Sequence, residues 1–168
     1  MVEQAFDREF PKVADFPRLA LSKNWVESEL RPGKRPGAFC TDSYLNRESR
    51  VFMSFNGSLG DVQPLAHEIG HAYHNYVMED HRPFAHIYPM TLAESASTFA
   101  ELLLSNGILA DPKTSPAWRA EVLNQNLANA MAFLLNIPVR FEFEKNFYEE
   151  RQKGEVPIAR IKDLMVKA

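Results

Sequence analysis

Cysteine is almost missing from this sequence: Cys40 is the single one in 168 residues. That excludes an internal disulfide framework and any zinc site built on thiolates. An excess of one charge is missing too. With 19 basic and 22 acidic residues the formal net charge is −3, so nothing favours nucleic acid or an anionic membrane as a partner. No apolar run approaches the length needed to span a bilayer. The start, Met1-Val-Glu-Gln-Ala-Phe-Asp-Arg8, lacks the apolar core of a signal peptide, and the expected setting is cytosolic. Internal repeats, low-complexity segments and linkers are absent as well. What is there is 45% hydrophobic and 11% aromatic, a folded composition, and the length suggests one domain with a real core.

The stretch with the clearest chemistry is His67-Glu68-Ile69-Gly70-His71. On a helix, residues four apart lie one turn apart on nearly the same face, so the two imidazoles can bind one Zn²⁺ from a rigid support. Glu68 falls to the side of the pair, where it can reach a water without being a ligand. This is the spacing of zinc metallopeptidases, with the histidines as ligands and the glutamate as general base. Alone, the pattern also fits an amphipathic helix with two hydrogen-bonded histidines. The helix is expected from an Asp61 cap to Met78 or Glu79, with Pro64 in its first turn. Gly70 costs about 1 kcal/mol there relative to alanine, which suggests close packing. His74, one turn further, is expected beside the ligands or on the substrate side, or as an ordinary hydrogen-bonded histidine. A longer metzincin pattern is disfavoured, because it needs glycine and histidine where His74 and Val77 stand.

A second helix is expected over Leu92–Asn106, capped by Thr91 and ended by Gly107. It carries Glu94, Thr98 and Glu101 on one face. Two carboxylates so placed are usually just solvated. After such a histidine helix, however, a carboxylate on the following helix is the expected third zinc ligand. Glu94 is that candidate, and Glu101, two turns on, is placed to orient an imidazole. Upstream, Ala38–Tyr44 and Arg50–Asn56 read as two short strands of a hairpin. An edge strand beside a zinc cleft can receive a peptide backbone, so Phe52, Ser54, Asn56 and Gly57 are substrate-binding candidates. Tyr88 is the one candidate for a second oxyanion donor.

The remaining segments carry less. Residues 1–10 read as a frayed lead-in, and apolar spacing predicts a helix from Pro11 to about Glu29, weakened at Pro17. Arg31-Pro-Gly-Lys-Arg-Pro-Gly37 reads as a solvated connector. Ser115-Pro116 starts a long helix from Ala117 to about Lys153, kinked near Pro138. Its apolar stripe, including Trp118, Val122, Leu127, Phe133, Leu134 and Phe141, is expected to be core. Gly154 ends it, and a last helix covers Ile158–Lys167.

Four of these segments carry a family resemblance. Arg31–Cys40, Phe52-Met-Ser-Phe-Asn-Gly57, Leu65–His74 and Ala93–Glu101, in this order, resemble the oligoendopeptidase F family, relatives of thimet oligopeptidase. The segment Arg140–Arg151 resembles that family's long C-terminal helix. The resemblance implies zinc held by His67, His71 and Glu94, with Glu68 as base. It also implies a mainly α, zincin-like helical catalytic core with a small antiparallel β-hairpin before the metal-binding helix, acting on short unstructured peptides. Family enzymes are several times longer, with an upstream helical region and downstream histidine and tyrosine residues that bind substrate. The expectation is therefore the zinc-binding part of such a peptidase, truncated at both ends, that binds zinc but cleaves poorly. Two rivals remain: a zinc module completed by self-association or by a partner supplying missing segments, and a helical interaction domain whose motif is accidental.

Overall fold

Residues 1–10 fold rather than fray. Val2–Glu9 forms helix α1, because Val2, Ala5 and Phe6 fall on one face and are all buried. The computed structural model describes the backbone of all 168 residues and every side chain except that of Leu59. Helix α2 spans Pro11–Ser22, with a proline at its first position and Pro17 buried inside it. It stops short of the expected Glu29. Asn24 takes φ 55° and the Trp25 N–H donates to Ala20 O, which turns the chain into a two-residue strand, β1 (Val26–Glu27).

The expected hairpin is present as β2 (Ala38–Ser43) and β3 (Glu48–Met53), antiparallel with Cys40 opposite Val51. It belongs to a three-stranded sheet in the order β1-β3-β2, with β1 parallel to β3. The connector before β2 is not simply solvated. The Lys34 side chain is 2% exposed, lies over the Phe52 ring at 4.4 Å, and donates to the carbonyls of Glu29, Glu27 and Met53. An ammonium that lies over an aromatic face and also donates to three carbonyls can be buried at little cost.

Helix α3 covers Leu59–Val77 and begins earlier than the Asp61 cap predicts. Ser58 precedes the helix and Asp61 is its third residue, whose carboxylate accepts from the Ser58 N–H at 3.0 Å and hydroxyl at 2.8 Å. Aspartate thus serves in the reciprocal cap where glutamate is more usual. After a 3₁₀ turn at Pro83–His86, helix α4 runs Met90–Ala110. Pro89, not Thr91, precedes it, and Gly107 lies inside it rather than beyond its end. That glycine is a crossing point: a Cβ there would sit 2.4 Å from Ala5 O, so only glycine lets α1 lie on α4. Arg8 reinforces the crossing by donating to Gly107 O at 3.1 Å and to the Asp111 carboxylate at 2.7 Å.

The chain divides into two compact units, Met1–Thr114 and Ser115–Ala168, where length alone suggests one domain. The first holds the elements above. The second begins as expected, with Ser115 Oγ accepting from the Trp118 N–H and Pro116 opening α5 (Pro116–Met131). A π turn at Ala132–Asn136 then leads into α6 (Ile137–Arg151). Widening the helix just before Pro138 relieves the clash that its ring would make with the preceding turn, so the kink has a cause. The apolar stripe is not core. Val122 is buried, but Leu127 is 61% and Leu134 74% exposed, and Trp118, Phe133 and Phe141 are exposed too. Helix α7 covers Ile158–Lys167 as expected. Among the described residues, no helix is long and apolar enough to cross a membrane.

Candidate metal centre

Period 3.6 sets Gln63, His67 and His71 in a stripe along α3, and α4 packs against that stripe. The approach is close because of Gly70. A Cβ on it would lie 2.7 Å from Ala96 O and 2.8 Å from both Ser97 Cα and Ala100 Cβ. The close packing expected at this glycine is present, and it brings the carboxylates of α4 to the histidines of α3.

Glu94 Oε2 lies 3.3 Å from His67 Nε2 and 3.6 Å from His71 Nε2. One donor atom from each of these residues falls within 4.8 Å of the others. Tetrahedral ligands about 2.1 Å from one ion stand roughly 3.4 Å apart, so two imidazoles and a carboxylate at these separations fit a zinc-sized cation. Ser97, fully buried, donates to Glu94 Oε2 at 2.8 Å and holds that oxygen in place. Glu101 lies on the far side of His67, with Oε1 2.5 Å from Nδ1, and its Oε2 accepts from Gln63 Nε2 at 3.2 Å.

Glu68 is buried beside the cluster. Burial raises its pKa; the His67 charge and the Cys40 backbone N–H oppose the rise, while Glu94 and Glu101 add to it. The hydrogen bond to Glu101 raises the pKa of His67. Burial lowers that of His71, and the charge of His67 adds to the effect. The unlike environments leave His71 the more readily neutral of the two, the form in which imidazole binds a metal.

Other expected residues lie elsewhere. His74 is not one of the three donors; its ring lies 4.6 Å from that of Tyr88, and its Nδ1 is buried with no hydrogen-bond partner among the described residues. Tyr88 donates to Asn75 Oδ1 at 3.0 Å, so its proton is committed there rather than at the three donors. The substrate-edge expectation needs correction. Phe52 pairs with both Glu27 and Phe39, so β3 is the central strand and offers no free edge. Ser54, Asn56 and Gly57 follow it, and the Asn56 N–H is taken by Asp61. The open edge beside α3 is β2, whose Cys40 backbone lies near enough to Glu68 to lower its pKa. The error has a simple origin: a two-residue strand such as β1 leaves no readable pattern, so β3 looks like an edge. Gln63 and Ser97 were not anticipated either. Their only signal is helical spacing, one turn before His67 and one turn after Glu94.

Comparison with known proteins gives the family and the fold. The profile of peptidase family M3 matches residues 6–167. The chain belongs to that family. Oligoendopeptidase F (chromosomal) of Lactococcus lactis subsp. cremoris is 32% identical to this M3 chain over 142 residues, covering 83% of it and 23% of the relative. Oligopeptidase PepF of Bacillus subtilis is 29% identical over 143 residues, covering 84% and 21% respectively. The chain thus spans under a quarter of the length of these curated relatives. A crystal structure of a presumed oligoendopeptidase F from Bacillus anthracis str. Ames shares the fold, with a TM-score of 0.80 over 99% of this chain and 30% of its own, at 19% identity.

Proposed function

We propose that this chain is the zinc-binding catalytic segment of an M3 metallopeptidase that hydrolyses peptide bonds in short, unstructured peptides. The observation that carries the reading is the convergence of Glu94 Oε2 on the Nε2 atoms of His67 and His71, with Glu68 buried alongside. His67, His71 and Glu94 would hold the zinc. Bound there, zinc supplies a Lewis acid that lowers the pKa of water to about 7 and polarises a carbonyl. Glu68 takes the proton from the attacking water and hands it to the leaving amine, and its raised pKa suits both transfers near neutral pH. Glu101 and Ser97 keep His67 and Glu94 aimed. The open edge of β2 is placed to receive an extended peptide backbone beside Glu68.

The test is zinc content together with cleavage of a quenched, unstructured peptide by wild type, Glu94→Ala and Glu68→Gln. Wild type should bind one zinc per chain and cleave weakly. Glu94→Ala should lose the zinc, while Glu68→Gln should keep it and lose roughly 10²–10⁴ of the rate. A wild-type chain that binds no zinc in chelator-free buffer would end this reading. The exposed apolar residues of α5 and α6 favour a second one, in which the segment binds zinc but needs a further chain or segment for catalysis. Zinc binding with no wild-type cleavage would select it.

A further inference from the structure

We infer that Gln63 is a positioning residue of this site, fixing through Glu101 the tautomer and ring orientation of His67. The inference rests on the proposed role of His67 but on none of its chemistry. Gln63 is buried and lies one turn before His67 on α3, and both reach the same carboxylate on α4. A carboxylate only accepts hydrogen bonds, which settles the direction of both contacts. Across 3.2 Å the Gln63 amide must present its NH₂ to Glu101 Oε2, and across 2.5 Å His67 must present Nδ1–H to Oε1. With the proton on Nδ1, the lone pair of His67 lies on Nε2, the atom that faces Glu94 and His71. Glu101 can hold that tautomer only if its plane is held. Gln63 engages the oxygen that His67 does not use, so the carboxylate cannot swing about its last torsion. The residue that aims the imidazole thus comes from the same helix as the imidazole itself, by way of the neighbouring helix.

The decisive variant is Gln63→Met, which keeps the shape and removes the donor; Gln63→Leu repeats the test should the first fold poorly. In the metal-free full chain, at a pH above the end of His67's own titration in the same ¹⁵N spectra, wild type should show His67 protonated on Nδ1. Either Gln63 variant should give a tautomer mixture, and zinc affinity measured by chelator competition should fall roughly tenfold. Val13→Ala, which opens a cavity under α2 and touches neither the donors nor their supports, serves as the control and should lower the melting temperature without moving either readout. Unchanged tautomer and zinc affinity in both Gln63 variants would overturn the inference, as would equal changes in Val13→Ala, because the effect would then be only structural. If wild type binds no zinc, the proposed function fails while the tautomer spectra still decide the role of Gln63.

Discussion

At the scale of single residues, burial decides which groups react. Cys40 sits on β2 close to Glu68, and its thiol is pushed up to about 12, first by burial and then by the charges of Glu68 and Asp42. At pH 8 about one molecule in 10⁴ carries the thiolate, against roughly a quarter for an ordinary cysteine. Alkylation by iodoacetamide should therefore run about three orders of magnitude slower in the folded chain than in urea; equal rates would show that the thiol is not so enclosed. Glu68 is lifted by the same burial, with the opposite consequence, because a glutamate raised toward neutrality makes a better base. The spacing of His67, Glu68, His71, Glu94 and Glu101 is legible in the sequence because each lies on a helix with a fixed period. Gln63 and Ser97 are not, since a polar side chain on a helix has no distinguishing mark until the facing helix is known.

At the scale of elements, helix-to-helix distance is set by what has no side chain. Replacing Gly70 with alanine gains about 1 kcal/mol of helix propensity but drives a methyl group into Ala96 and Ala100, an overpacking that costs about 1–3 kcal/mol. The expected result is a lower melting temperature and weaker zinc binding, since α3 and α4 carry different ligands and must separate. A more stable Gly70→Ala protein would show that the helices are not in contact there. Gly70 could be understood from its place between two histidines, but Gly107 could not. Glycine near a helix end reads as a stop, and the reason this one stays helical is the backbone of α1, distant in sequence. The same limit explains α1 itself: eight residues have too few periods to distinguish a helix from a frayed end, and burial against α4 decides the matter.

At the scale of the whole molecule, the two units differ in how they use apolar residues. The first has a core built from α1 to α4 and the sheet, whereas α5 and α6 of the second leave much of their apolar stripe exposed. Periodicity predicts which residues share a face, but not whether anything covers that face, so the stripe was legible and its exposure was not. Such a surface should drive concentration-dependent self-association. Sedimentation velocity should show it for wild type and not for a Leu127→Glu, Leu134→Glu variant; a wild-type chain that stays monomeric at tens of micromolar would count against it. One consequence of the fold reaches beyond the site. Gly107 lies on the same helix as Glu94, about 20 Å along its axis at roughly 1.5 Å per residue, and is moored there on Ala5. A helix that long acts as a stiff rod, so the N-terminal helix, which supplies no donor of its own, works as the anchor that sets the angle at which the far end delivers its carboxylate.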